Sequence, residues 1–358
     1  KQENSYGNPS SSTDLGKQAY AIVQTARTRI SGCLKVSAKE VLFVSGASEA
    51  NNMAIKGIAF QHLESKGHII TSSTEHSSVL KTVRFLETLG FRATYLTPSK
   101  GGVIAAEQVR KHLCPDTILV SIMAVNNEIG TINPIAAIGK ICREAQVPLM
   151  VDAAQGFGKI RIHPKAMGIS LLSITGHKIY APKGVGVLFV DQDLALIPLI
   201  HGGEQEFEMR AGTENLSSIL SLGRAAQLIC RDMDRENSRF KSLQQYFLER
   251  IKSIEPNIVI NGSLEQRVPS NLNLGFPAVD SGALLLSLNE IGVFVSSGSA
   301  CSAGSKESSH VLKALNVDTE HYGSIRFSFG LKTTKDDLDY LFHYLPKILT
   351  ALKEPKEN

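Results

Sequence analysis

Short apolar runs alternate with helix-period segments through the first half of the chain. Glu40-Val-Leu-Phe-Val44, His68-Ile-Ile-Thr, Phe91-Arg-Ala-Thr-Tyr-Leu, Thr117-Ile-Leu-Val-Ser-Ile-Met-Ala-Val, Val147-Pro-Leu-Met-Val-Asp152 and Ile169-Ser-Leu-Leu read as strands. Helices are predicted over 17–31, where Gly32 is expected to stop the first one, from Ser45-Gly-Ala-Ser onward, near 105–113 and over 136–145. This alternation predicts an α/β fold with a mostly parallel sheet covered on both faces. Residues 217–254 contain almost no turn signal and predict a long helix or helix pair leaving the first domain. Beyond it, Asn257-Ile-Val-Ile, Ser270-Asn-Leu-Asn-Leu-Gly-Phe and Val293-Phe-Val-Ser read as strands and 281–290 as a helix. The expected division is a large domain over 1–235 and a smaller α+β domain over 236–358.

In parallel sheets, ligands collect at the carboxyl ends of the strands, so the residues placed there matter most. Ser45-Gly-Ala-Ser-Glu-Ala-Asn turns from strand directly into helix, leaving free N–H groups at a positive helix end that suits a phosphate. An ordinary turn capped by Ser45 or Ser48 is the alternative. His76 stands at the next junction, either facing the same pocket or capping a helix. Asn126-Asn-Glu-Ile-Gly ends a further strand, where amides donate to a ligand oxygen or simply close the turn. Asp152-Ala-Ala-Gln155 and Ser173-Ile-Thr-Gly-His-Lys178 end consecutive strands. A lysine at a strand end beside a histidine and a threonine is expected to be partly desolvated, which lowers its pKa. A carboxylate to hold a pyridinium and a lysine to carry a Schiff base are what pyridoxal phosphate needs from a protein. Ser48, His76, Asn127, Asp152, Gln155, Thr175, His177 and Lys178 thus predict a single site. The Gly- and Ser-rich segment Ser296-Ser-Gly-Ser-Ala-Cys301 sets a thiol where little can pin it, either as a nucleophile or carrier or as a passive small residue.

Composition narrows this picture only slightly. At 358 residues with a net charge of +4, the chain is ordinary for a globular protein and carries no nucleic-acid signature. Its five cysteines are scattered and unpaired in spacing, which argues against a disulfide framework or a structural zinc site and for a reducing compartment, the cytoplasm or an organelle matrix. No metal, DNA or membrane partner is expected, and no apolar run approaches a membrane span.

The segments already quoted, with Tyr6-Gly-Asn-Pro-Ser, Arg210-Ala-Gly-Thr213 and Ser324-Ile-Arg326-Phe-Ser, run in order through nearly the whole chain. In this the sequence resembles the NifS/IscS-like cysteine desulfurases of the class V aminotransferase family. The resemblance implies the type I fold of PLP-dependent transferases, and a homodimer that removes sulfur from L-cysteine to give L-alanine and a persulfide on Cys301, for iron-sulfur clusters or tRNA thiolation. It also implies Lys178 as the Schiff-base lysine, Asp152 at the pyridine nitrogen, His76 on the ring, and Gln155 and Asn127 toward the phenolic oxygen. Ala47 (through its backbone), Ser48, Thr175 and His177 are implied to hold the phosphate, with Thr213 reaching it from a second subunit. Arg326, helped by Asn127, is implied to clamp the substrate carboxylate, and a sulfur acceptor or scaffold protein is implied as partner. Three features depart from the family: only five residues precede Tyr6, where a strand and an Ala-Thr-Thr-like loop are usual; Glu204 and Phe207 replace the usual Gly and Arg; and the segment after the last helix is short. Selenocysteine lyase activity, and a weakly active interaction subunit that keeps the fold, are the competing readings.

Overall fold

The computed structural model describes residues 6–297 and 309–353. In chain order its elements are α1 (Asp14–Leu34), β1 (Val41–Val44), α2 (Ala47–Ala59), β2 (His68–Ser72), α3 (Ser77–Thr88), β3 (Arg92–Leu96), α4 (Ala106–His112), β4 (Thr117–Ser121), α5 (Ile135–Glu144), β5 (Leu149–Asp152), α6 (Pro164–Met167), β6 (Leu171–Thr175), β7 (Gly186–Val190) and α7 (Leu216–Ile254). There follow β8 (Val259–Ile260), β9 (Asn271–Pro277), α8 (Ser281–Glu290), α9 (His310–Ala314), β10 (Tyr322–Ser328) and α10 (Lys335–Lys353). None of the helices described is long and apolar enough to cross a membrane.

The chain divides into two compact units. The first holds a seven-stranded sheet in the order β1-β7-β6-β5-β4-β2-β3. Its neighbours run parallel except β7, which is antiparallel to both β1 and β6. Every residue of β1, β2, β5, β6 and β7 is buried, so both sheet faces are covered, as the unbroken apolar runs require. On one face Leu42, Val44, Met150, Leu171 and Leu188 pack with Met53, Ile55 and Ile58 of α2 and Val79, Val83 and Leu86 of α3.

The second unit takes in Thr97–Val103, Asn126–Ile132 and Asp234–Asn358, so α7 begins in one unit and ends in the other. Its antiparallel sheet β10-β9-β8 packs on the later turns of α7, where Phe240, Leu243, Phe247 and Ile251 recur at helical spacing. Phe247 lies at the centre, with ring centroids 4.9 Å from Phe327 and 5.0 Å from Phe342.

Two local expectations are corrected. Gly32 does not stop α1, which runs on to Leu34 and ends where Lys35 turns left-handed at φ 56°. Residues 293–296 form no strand; only Ser296 pairs there, in an isolated bridge with Arg326.

A buried ion pair and a separate buried carboxyl organise the first unit. Arg27 of α1 forms a two-pronged ion pair with Glu206 at 2.8 Å, with both side chains almost fully buried. Glu206 also accepts from Phe43 N at 2.8 Å, and Arg27 donates to the Val41 carbonyl, so the pair ties the 201–213 loop to β1. The Arg27 guanidinium lies between the Phe43 and Phe207 rings, 4.8 and 4.9 Å from their centroids. Phe207, one of the departures from the family pattern, thus completes a cation–π sandwich. Glu206, Phe207 and Glu208 are all left-handed, at φ 46°, 60° and 64°, a conformation costing on the order of 1–2 kcal/mol per residue. The ion pair is what holds them there. Glu75, between β2 and α3, accepts from Ser72 Oγ at 2.7 Å and Met123 N at 2.9 Å. Complete burial pushes its carboxyl up to about 8.

Removing one partner of the buried pair strands the other charge, so Glu206→Gln is expected to cost about 3 kcal/mol in a urea melt. A loss below about 1 kcal/mol would show that the pair does not hold the loop. At neutral pH the native state keeps a proton on Glu75 that the unfolded chain, with its ordinary value of 4.5, has released. Stability from this group is therefore full below about pH 4.5 and declines by a few kcal/mol as pH rises through about 8. Glu75→Gln should flatten the melting profile across that window and exceed wild type at its alkaline end; equal slopes for the two proteins would refute the assignment.

Candidate active site

The site in the first unit is built where β5 and β6, parallel neighbours, end side by side. Gly186 of β7 sets its geometry. A Cβ there would stand 2.6 Å from Gly46 Cα and from the Ile174 carbonyl oxygen, so only glycine lets β7 pass this close to the β1–α2 turn. The start of α2 is thereby held against the end of β6. A Cβ on Gly46 would lie 3.6 Å from Thr175 Oγ1.

Gly46 is the N-cap of α2 and supplies no capping side chain, so neither Ser45 nor Ser48 is the cap. The N–H groups around Ala47 and exposed Ser48 begin the helix at its positive end. Buried Thr175 bonds through Oγ1 to His177 Nδ1 at 2.9 Å on the adjoining turn. Burial, then the nearby Lys178 and Lys183 charges, hold the His177 imidazole below its usual range, so it is neutral at pH 7. These groups share one corner, where the start of α2 adjoins the end of β6. Lys178 closes the 3₁₀ turn Gly176–Lys178 and is exposed in the single chain.

Asp152, the last residue of β5, is 4 % exposed. One carboxylate oxygen accepts from Ala154 N at 2.9 Å and the other from Asn51 Nδ2 at 2.8 Å. Among the described residues no lysine or arginine forms an ion pair with it. Asn51 Nδ2 also reaches Ser78 Oγ at 2.8 Å, and Ser78 Oγ bonds to His76 Nδ1 at 2.8 Å. The chain Asp152–Asn51–Ser78–His76 therefore fixes acid and imidazole together. His76 is the N-cap of α3 as well, since its Nδ1 accepts from Ser78 N at 3.2 Å; a ring accepting at Nδ1 carries its proton on Nε2. The capping and pocket readings of His76 are thus compatible. Half-buried Gln155 accepts from the Lys159 ammonium.

Three residues here escaped the sequence reading. Asn51 and Ser78 lie inside helical segments whose polar positions read as surface. Glu49, in the first turn of α2, accepts from Ser45 N at 2.7 Å and from Arg210 Nε at 2.8 Å, and so holds the loop carrying exposed Thr213. Burial alone pushes the Glu49 carboxyl upward, but the Arg210 and Ser45 hydrogen bonds outweigh it and keep the group below its ordinary value. A buried Asn on a helix otherwise lined by Ala, Met and Ile was the available signal.

The other predicted residues belong to the second unit. Arg326, half-buried on β10, donates from Nη1 to the Asn127 carbonyl at 2.9 Å and pairs in register with Asn273 of β9. Asn271 and Asn273 donate to the Glu128 carbonyl, and the Glu128 carboxylate accepts from Ser309 Oγ at 2.5 Å. The Asn126–Ile132 segment is thereby fixed to β9 through Glu128 and to β10 through Asn127. Cys301 lies outside the described residues.

Residues 1–341 match the family described as aminotransferase class-V. The chain is 45 % identical over 350 residues to a cysteine desulfurase IscS of Dictyoglomus turgidum, covering 97 % of this chain and 89 % of that protein. Among solved structures, a NifS-like protein superposes with a TM-score of 0.92 at 32 % identity, covering 98 % of this chain and 93 % of the other. SspA in complex with cysteine superposes with a TM-score of 0.82 at 38 % identity, covering 92 % of each chain. With that agreement of sequence and fold, the chain belongs to the class V aminotransferase family and, within it, to the NifS/IscS-like cysteine desulfurases.

Proposed function

We propose that this chain converts L-cysteine to L-alanine and carries the released sulfur as a persulfide on Cys301. The observation that carries the reading is Asp152: a buried carboxylate held by two donors, with no ion-paired cation among the described residues, beside the strand that delivers Lys178. Such a group fits a pyridinium nitrogen, and the uncapped start of α2 with Thr175 and His177 fits a phosphate, so the residues present suit pyridoxal phosphate. When bound, that cofactor supplies an electron sink for charge developing at the substrate Cα.

The protein's part is positioning and proton movement. Asp152 keeps the ring nitrogen protonated, and Asn51 keeps Asp152 in line. Ala47 N–H, Ser48, Thr175 and His177 hold the phosphate, with Thr213 of a second copy completing the cradle in a homodimer. His76 would hold the ring, with Gln155 and Asn127 toward its phenolic oxygen. Arg326 takes the carboxylate of cysteine in a two-pronged contact. Lys178 anchors the cofactor and moves the proton at Cα. The Cys301 thiolate attacks the substrate sulfur. The carbon–sulfur electron pair then leaves to Cβ, which is protonated to the methyl group of alanine, and the sulfur stays on Cys301 as a persulfide. A sulfur-acceptor or scaffold protein then receives it.

The purified protein should absorb at roughly 390–420 nm, the range of a protein-bound pyridoxal phosphate, and the band should change on adding L-cysteine while alanine accumulates. Lys178→Ala should abolish that band. Cys301→Ala should keep it and lose persulfide transfer; loss of the band in this variant would misplace the cysteine. Asn51→Ala frees the Asp152 carboxylate on one side and should weaken cofactor retention about tenfold, read by dialysis against buffer. Wild-type retention in Asn51→Ala would remove Asn51 from the positioning chain.

A further inference from the structure

Four cysteines lie among the described residues, and two of them meet. Helices α1 and α7 meet at Ala26 and Gly223, where an added Cβ on Gly223 would stand 2.6 Å from Ala26 Cα. Two turns further along both helices the seam is occupied by Cys33 on α1 and Cys230 on α7. Cys33 Sγ lies 3.5 Å from the Ala226 carbonyl, the turn of α7 that leads into Cys230. The two thiols are neighbours in this seam and influence each other's ionisation. Both are half-buried and line one cleft of about 480 Å³ that also carries Arg29, Lys35, Arg161 and His163. Neither thiol has a part in the proposed chemistry.

We propose that Cys33 and Cys230 form a redox-active dithiol, a modification site that hydroperoxides convert to a disulfide between α1 and α7. The Cys33 thiolate attacks the peroxide O–O bond, giving a sulfenic acid on Cys33 and releasing an alcohol, or water from hydrogen peroxide. The Cys230 sulfur then attacks the sulfenic sulfur, and the hydroxyl leaves with the Cys230 proton as water. Two thiols lose two electrons in total and the peroxide gains them. The roles follow from the two surroundings. The neighbouring Cys230 thiol outweighs burial and brings the Cys33 thiol below its ordinary value, whereas Cys33 and burial together push Cys230 up. Cys33 is therefore the attacking sulfur and Cys230 the resolving one. By contrast Cys142 is buried alone, its thiol pushed up to about 12. The bond would fasten α7 to α1 just before Met233, where the helix leaves the first unit.

The test uses the reduced holoenzyme, exposed to a few equivalents of hydrogen peroxide, quenched by alkylation and digested without reductant. Mass spectrometry is expected to recover most of both residues as one Cys33–Cys230 cross-linked peptide, reversed by dithiothreitol. In Cys230→Ser, with no resolving thiol, Cys33 should advance to sulfinic acid at least tenfold faster than in wild type. The proposal is overturned if both cysteines are recovered alkylated in the oxidised wild type, or if Cys33 reaches sulfinic acid equally fast in the two proteins.

Discussion

Burying a carboxylate without a cation is among the more expensive things a fold can do, of order several kcal/mol even after relaxation. The end of β5 does it at Asp152. Two hydrogen bonds, from Ala154 N–H and Asn51, are the whole compensation among the described residues. They explain why a helix otherwise devoted to apolar packing carries Asn51 on its buried side, and why Ser78 and His76 are strung to it. Remove the demand at Asp152 and that polar chain has no purpose in a core this apolar. The architecture is thus arranged so that one negative charge waits at a fixed place.

A second constraint operates at the 201–213 loop. The 201–213 loop must reach back to the start of α2, where Arg210 meets Glu49, while its preceding turn adopts three consecutive left-handed residues. The Arg27–Glu206 pair makes that possible by giving the loop an anchor inside α1. Phe207 in place of an arginine is consistent with this, because a ring stacked on Arg27 adds to the anchor without a second positive charge beside it.

Much of this was legible in the sequence, for identifiable reasons. Buried parallel strands are continuous apolar runs, so their ends could be placed, and with them Asp152, Thr175 and Lys178. The long α7 was visible as a stretch without turn residues. What could not be read depends on partners far apart in the chain. Asn51 with Asp152 and Arg27 with Glu206 are contacts across roughly 100 and 180 residues that no local spacing encodes. Gly32 misled because a glycine facing open space is tolerated inside a helix, where φ and packing make no demand on it. Residues 293–296 misled because a short apolar run there read as a strand, while only Ser296 bridges to Arg326 of β10. Cys33 and Cys230 likewise look scattered until two helices bring them into one seam.

The place of β7 between β1 and β6 has a bearing on biosynthesis. Of its partners, β1 is the strand at the sheet edge and is paired with nothing else in the sheet. Val41 and its partner Phe189 are roughly 150 residues apart, a long loop to close. On the ribosome, β1 must wait unpaired while five further strands are made. The Gly46–Gly186 contact that sets the anion corner belongs to the same late step. A nascent chain shorter than about 190 residues can therefore assemble much of the parallel sheet, yet has nowhere to seat a phosphate.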